Sequence, residues 1–386
     1  LESPKPYVAT PGKPSGKKVA IVGAGPAGLS AAFYLRKDGH DVDVFDSHPE
    51  AGGMLRYGIP AYRLPREILA KEVGLIEKMG VNFKYNKRLG KDFTVEKLKK
   101  EYDAIFLEIG AQLASDMRVE GEKEGGAISG IAFLEDVSLG KKIDLGNDVY
   151  VVGGGNTAID AARTALRIGA KNVKILYRRS REEMPANELE VEAAEAEGVD
   201  IKFLTLPVKM EKTKDGVTLT CIKMQLGEPD TSGRRKPIPI EGSEYKVKAS
   251  VIISAIGQGV DATCIDDEPI DIKLTKWNSL DVNENTFETS ELGIFAGGDC
   301  VSGADIAVTA MASGKKAAAS IDQYLKGEKI TGISKAYLHS MGEKEEVPKE
   351  IFNDVEAKNK INMPELPAKD RVKTFEEVEI GFTAKL

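Results

Sequence analysis

With 386 residues, 41% of them hydrophobic and 30% charged, the chain is long enough for two domains with cores of their own. Its net charge of −7 and the lack of a concentrated basic tract exclude general nucleic-acid binding. No apolar run reaches the roughly 20 residues of a membrane-spanning helix, which argues against membrane insertion.

The opening 16 residues, punctuated by Pro and Gly, read as an extended linker with no secretory apolar core. Residues 19–22 form an apolar run that predicts a buried strand. Gly23, Gly25 and Gly28 follow in the spacing G-x-G-x-x-G, and residues 29–33 open a helix with small side chains. Gly23 permits the tight turn, Gly25 lets a diphosphate approach the backbone, and Gly28 lets helix and strand pack closely. The diphosphate would rest on the free N–H groups of the helix N-terminus. A second strand, 41–45, ends in Asp46, 18 residues past Gly28. An acid there can accept hydrogen bonds from both hydroxyls of an adenosine ribose. Taken alone, the spacing also fits a glycine turn with no ligand.

Residues 52–60 and 63–65 (GGMLRYGIP and RLP) are broken by Gly and Pro yet apolar, as a loop lining an apolar ring would be. The pattern then predicts a helix over 66–79, a strand over 81–85, a charged helix over 92–100 and a buried strand over 103–109.

Residues 147–152 begin a second copy of the opening pattern. They run into Gly153, Gly154, Gly155, Asn156, Thr157 and Ala158, in the form G-x-G-x-x-A, and then a helix to residue 168. Two such units form a repeat of function, not a solenoid. The strand at 173–177 ends in Arg178, Arg179, Ser180 and Arg181, where the first unit has Asp46. Guanidinium groups bind a ribose 2′-phosphate that an acid would repel, so NADP(H) is expected here. A solvated charge cluster is the alternative. Further on, the sequence predicts an acidic helix over 182–197, a small antiparallel meander over 200–240 and a strand at 251–256 that runs into Gly257. A strand at 292–296 leads to Gly297, Gly298 and Asp299, and an Ala- and Gly-rich helix spans 307–324. The polar tail, 331–386, is expected to wrap the body or to meet a partner.

Cys221, Cys264 and Cys300 form no C-x-x-C pair, so neither a local dithiol centre nor a self-contained iron–sulfur site is expected. His40, His48 and His339 are too scattered for a metal site. Few cysteines and no export signal favour a reducing cytoplasm.

The motifs VGAGPAGL, GGMLRYGIPAYRLP, VVGGGNTAIDAAR, YRRSREEMPA and GIFAGGDC together resemble the glutamate synthase small-subunit family of NAD(P)H:FAD oxidoreductases. Its relatives include the N-terminal half of dihydropyrimidine dehydrogenase and the large subunit of the bifurcating ferredoxin–NADP transhydrogenase. The likeness covers residues 16–325, with a weaker echo at 375–383 (FEEVEIGFT). It implies FAD on Gly23, Gly25, Pro26, Ala27 and Gly28, on Asp46, and on Gly52, Gly53, Met54 and Leu55, with Arg63 and Leu89 also at this cofactor. Gly298 and Asp299 would hold its ribityl chain or diphosphate. Ile306, Ala307 and Val308 would bring main-chain amides to the isoalloxazine. The nicotinamide nucleotide would lie on Gly154, Gly155, Asn156, Thr157, Arg178, Arg179, Ala255, Ile256 and Gly257. Three departures stand out: no cysteine-rich segment precedes the first motif, the chain stops soon after GFT, and Glu108 stands where relatives carry a small residue. The first two suggest a trimmed fragment or a dedicated subunit.

The implied reaction is hydride transfer between nicotinamide C4 and flavin N5, with NADPH preferred to NADH. The cofactors carry this chemistry, so no catalytic side chain and no metal are expected. Electrons would pass onward to an iron–sulfur protein or domain in a hetero-oligomer. Two other classes compete: another two-nucleotide flavoprotein, of disulfide reductase or monooxygenase type, and a non-catalytic nucleotide-binding module. The expected fold is α/β, with two Rossmann-like doubly wound domains and the NAD(P)H domain inserted into the FAD domain. The expected divisions are a linker at 1–16, FAD-binding parts at 17–130 and 259–330, an NAD(P)H-binding part at 131–258 and a tail at 331–386.

Overall fold

The computed structural model describes residues 7–231, 233–266, 268–333, 347–356 and 361–382. The first residues of the linker, His339, parts of the tail and Thr383 of the FEEVEIGFT echo lie outside these.

Five parallel strands form the first sheet, in the order Ile294–Ala296, Ala104–Leu107, Lys18–Val22, Asp41–Phe45 and Asn82–Lys84. Side chains alternate between two cores, as the period of a strand requires. Val19 and Ile21 face one core, shared with the helices Pro26–Lys37 and Ala307–Leu325. Ala20 and Val22 face the other, with Phe93, Leu98, Ile265 and Cys300. Burial on both faces is why these strands read as continuous apolar runs.

The second sheet repeats the plan with Ile128–Ser129, Val251–Ser254, Asp148–Val152, Asn172–Leu176 and Asp200–Lys202, again all parallel. Val149 and Val151 pack on the helix Asn156–Arg167. Tyr150 and Val152 turn to the other side, where Met210, Leu219 and Cys221 meet them. That side is covered by an antiparallel sheet of Thr205–Thr213, Gly216–Pro229, Arg235–Pro239 and Tyr245–Ala249. The meander therefore takes the place of a helical layer.

Strand Ile294–Ala296 returns from far along the chain to pair with Ala104–Leu107, so the second sheet is built from an excursion out of the first. Where the chain leaves and returns, Leu113–Ala114 and Gln258–Gly259 pair antiparallel. The fold is two doubly wound α/β units, one inserted in the other.

The expected helix over 182–197 is broken. A 3₁₀ turn, Arg181–Glu183, stops at Met184, which is extended, because Pro185 disfavours helical backbone before it. The helix Glu188–Ala196 restarts from Asn187, whose side chain accepts from the Leu189 amide at 3.0 Å. An unexpected helix, Gly130–Ser138, is capped by Ser129 and buries Phe133 and Leu134. The tail wraps both units: Arg371 Nε donates to Glu197 at 2.9 Å, Arg167 Nε to the Thr374 carbonyl at 3.0 Å, and the Val378 amide to the Tyr62 carbonyl at 3.0 Å.

Candidate functional site

In each parallel sheet one strand has successive elements on opposite sides. Lys18–Val22 lies between Asp41–Phe45 and Ala104–Leu107, and Asp148–Val152 lies between Asn172–Leu176 and Val251–Ser254. The carboxyl ends of such strands open the crevice where α/β sheets bind ligands. Both glycine turns sit there.

At the first turn, Gly23 has φ +112°, and a Cβ on it would collide with the Glu108 carbonyl. A Cβ on Gly28 would strike the Gly23 carbonyl. Gly25 caps the helix Pro26–Lys37, with Pro26 in its first position, where a missing N–H costs nothing. Ala27 starts this helix under the crossing helix Ala307–Leu325: a Cβ on Gly314 would collide with the Ala27 carbonyl. Asp46 accepts from the Ala24 amide at 2.7 Å and from the His48 amide at 2.8 Å. The Gly52 amide donates to the Ala24 carbonyl at 2.8 Å. A Cβ on Gly53 would lie 2.8 Å from Gly25 Cα, so the short helix Met54–Tyr57, which begins with Met54 and Leu55, starts against the turn. Gly298 donates its amide to Ser313 Oγ at 2.8 Å. Burial pushes the Asp299 carboxyl up to about 6. Ile306 and Val308 flank Ala307 at 65% and 70% exposure, an apolar surface at a helix start that a ring could cover.

Two further residues expected at the flavin have partners within the chain. Leu89 is buried in the core with Phe45 and Phe93. Arg63 gives its guanidinium to the second unit, with Nη1 2.8 Å from Asp160 and Nε 3.1 Å from Glu190.

At the second turn, Gly153 has φ +149°, and a Cβ there would strike the Ala255 carbonyl. A Cβ on Gly154 would run into the Tyr177 ring, whereas one on Gly155 would meet nothing within 4 Å. Asn156 accepts from the Asn187 amide at 2.9 Å, and Gln258 Nε2 donates to Thr157 Oγ1 at 3.4 Å. Ile256 is exposed, and Gly257 has φ +139°. Arg178 is exposed. Partial burial and the guanidinium groups of Arg179 and Arg234 hold its pKa below the ordinary value. Arg179 is buried, donating to the Arg235 carbonyl at 2.8 Å and to Asp230 at 2.6 Å. Arg234 is a cluster member that the sequence reading missed. Its only signal was the basic triplet Arg234, Arg235 and Lys236.

Charged groups join the two units. Glu197 is bound by Arg163, Arg167 and Arg371, and the Arg167 guanidinium stacks 3.8 Å from the Tyr62 ring centroid. His48 lies 3.3 Å from Asp46 and 3.2 Å from Glu135 of the helix Gly130–Ser138. Burial opposes its charge, but hydrogen bonds to these two carboxylates raise its pKa to about 9.

The three cysteines are free. Burial pushes the Cys221 and Cys300 thiols up to about 12 and that of Cys264 up to about 11, which suppresses thiolate chemistry at neutral pH. Among the described residues no helix is long and apolar enough to cross a membrane.

Comparison with known proteins matches residues 17–314 to the family described as pyridine nucleotide-disulphide oxidoreductase. The chain is 46% identical to the NADP(+)-dependent formate dehydrogenase subunit beta of Moorella thermoacetica, over 95% of this chain and 52% of that protein. It is 37% identical to the glutamate synthase [NADPH] small chain of Escherichia coli (strain K12), over 81% of this chain and 70% of that one. It thus spans about half the length of the formate dehydrogenase subunit. Among solved structures, Mycobacterium tuberculosis FprA in complex with NADPH aligns with a TM-score of 0.66 at 18% identity, over 82% of this chain and 85% of that one. Thioredoxin reductase of T. acidophilum aligns with a TM-score of 0.58 at 20% identity, over 80% and 99%. These two agree in fold. The chain therefore belongs to the pyridine nucleotide-disulphide oxidoreductase family, in its glutamate synthase small-chain-like group.

Proposed function

We propose that the chain binds FAD on the first glycine turn and NADPH on the second, and exchanges a hydride between them. The observation that carries this reading is the repeated geometry: two glycine turns, each at the switch point of its own parallel sheet, with the sheets tied by the pair Leu113–Ala114 and Gln258–Gly259. Residues 17–130 and 259–330 form the FAD part of this assignment, and 131–258 the NADPH part.

The residues present fit these groups. The first turn offers a helix N-terminus for a diphosphate, the Asp46 carboxylate for a ribose, and the apolar Ile306 and Val308 for a ring. The second turn leaves Gly155 open and has Arg178 exposed beside Arg179 and Arg234, a match for a 2′-phosphate. Asp46 directly follows the second strand of the first unit, and Arg178 lies one residue beyond the corresponding Tyr177 of the second; the opposite charges at these two strand ends assign different nucleotides to them. When bound, the flavin and nicotinamide supply the redox chemistry. The chain's own work is to hold the two nucleotides and exclude water around them.

With Cys221 and Cys300 buried, Cys264 half-buried and all three thiols free, the chain sends electrons outward to an iron–sulfur partner subunit or domain and not to a local dithiol. The names of the relatives, a subunit beta and a small chain, support assembly with partners in a hetero-oligomer. Reconstitution with FAD and dialysis tests the reading: one tightly held FAD per chain is expected, with NADPH binding far more tightly than NADH. A colourless protein that takes up no FAD contradicts it.

A further inference from the structure

The two glycine turns differ at one place. Gly23 and Gly153 are each closed over by the carbonyl of the residue that follows the neighbouring strand, Glu108 in the first unit and Ala255 in the second. The backbone geometry there is the same: the Glu108 amide donates to the Val22 carbonyl at 2.8 Å, and the Ala255 amide to the Val152 carbonyl at 2.8 Å. The side chains are not the same. Ala255 leaves the space at Gly155 empty to 4 Å, whereas a Cβ on Gly25 would lie 2.6 Å from Glu108 Oε1. Glu108 Oε2 accepts from the Gly25 amide at 3.2 Å, the nearby Ala27 amide also favours the charged carboxylate, and the residue is 6% exposed. Its carboxyl therefore lies on the amides that open the helix Pro26–Lys37, the donors an incoming diphosphate needs.

We propose that Glu108 is an internal anion that takes the place of a diphosphate on the first glycine turn, so that a dinucleotide binds there only as this carboxyl yields the amides and takes up one proton. This rests on the reading of the first turn as the FAD site. Apart from the amides that open the helix Pro26–Lys37, the groups facing the carboxyl disfavour its charge. Asp46 faces it from the end of the second strand, Asp299 from the short helix after Gly298, and the buried Cys300 thiol from the same helix. The first turn of the helix Pro26–Lys37 has no acid and no base. His48, beside Asp46, is paired with Asp46 and Glu135. Burial, then Asp46 and Asp299, push the Glu108 carboxyl well above the usual range. A diphosphate brought to three carboxyl groups raises that value further. Between the free and the bound value, one proton is taken from solvent for each dinucleotide bound.

The test is FAD titration of the flavin-stripped chain, read by flavin fluorescence from about pH 6 to about pH 9. The wild type is expected to lose affinity as pH rises, at up to about tenfold per pH unit for one linked proton. Glu108→Gln, which keeps the shape without the charge, is expected to bind FAD more tightly at the alkaline end and to lose most of that slope. Only the shallower contribution of Asp299 then remains. Superimposable pH curves for the two proteins would overturn the proposal while leaving the FAD site standing. If Glu108→Gln does not fold, Glu108→Ala, the residue size found at position 255, serves in the same titration. Calorimetry of the wild type in buffers of different ionisation heat gives a second reading: about one proton taken up supports the proposal, and none at any pH overturns it. Failure of every form to bind FAD would overturn the cofactor reading and this proposal with it.

Discussion

Arg178→Ala separates the two nucleotides most sharply. Arg178 and Arg179 are adjacent in sequence, but the structure gives them different tasks. Arg179 is buried, with Nε and one Nη already donating to the Arg235 carbonyl and Asp230. Its loss would loosen the turn after Asn172–Leu176 as well as any phosphate contact. Arg178 is exposed beside it, so its guanidinium can be removed without emptying a core. A hydrogen bond to a charged group is worth roughly 1.5–3 kcal/mol, and solvent around Arg178 places it at the lower end. The expected outcome is that Arg178→Ala weakens NADPH by about tenfold and leaves NADH, which has no 2′-phosphate, almost unchanged. Fluorescence titration of the FAD-loaded protein with each nucleotide measures both constants, and raised salt should shrink the NADPH difference. Equal weakening of NADPH and NADH would rule out a 2′-phosphate contact and leave the cluster a solvated charge patch.

Gly155→Ala should fold like the wild type, because its Cβ meets nothing within 4 Å, yet bind NADPH about tenfold or more less tightly through lost amide contacts. Gly154→Ala should lose stability as well, since its Cβ would run into the Tyr177 ring. Melting curves beside binding titrations distinguish the two, and equal stability would contradict the packing. Glu197→Ala should cost about 3–5 kcal/mol in denaturant unfolding, the range for stripping a buried ion pair of one partner, because it leaves Arg163, Arg167 and Arg371 around an empty centre. A loss below about 1 kcal/mol would show that solvent already screens the network. His48 is raised from 6.5 to about 9, so its bridge to Asp46 and Glu135 is complete below pH 6.5 and is lost as pH rises through about 9. The melting temperature of His48→Gln should therefore lie below the wild type at neutral pH and converge with it above pH 9. A gap that does not change with pH would exclude the charged bridge.

The parallel strands were legible because burial on both faces makes them plain apolar runs, as in residues 19–22 and 149–152. The glycine turns were legible because close approach leaves no other residue possible at Gly23 or Gly153. What went unread was partly local and partly tertiary. Met184 and Pro185 break a segment whose composition is helical throughout, since composition does not register a local φ/ψ restriction. The helix Gly130–Ser138 lay in a segment expected to hold a domain boundary, and its short apolar face, Ile131, Phe133 and Leu134, gave too little periodicity to detect. Arg63 belongs to a motif associated with flavin, but its partners, Asp160 and Glu190, are distant in sequence, and no local pattern announces them. Glu108 stood out only as a departure from its relatives. Its meaning came from the fold, which sets its carboxyl on Gly25 and sets Ala255 in the same place of the second unit.

Direct passage of a hydride between FAD and NADPH held on one chain is open to a single experiment: anaerobic rapid mixing of the FAD-loaded chain with NADPH, and with NADPH deuterated at the transferred position. One equivalent of NADPH is expected to bleach the flavin, and the deuterated form to do so more slowly. A chain that binds both nucleotides while its flavin stays oxidised would contradict direct passage.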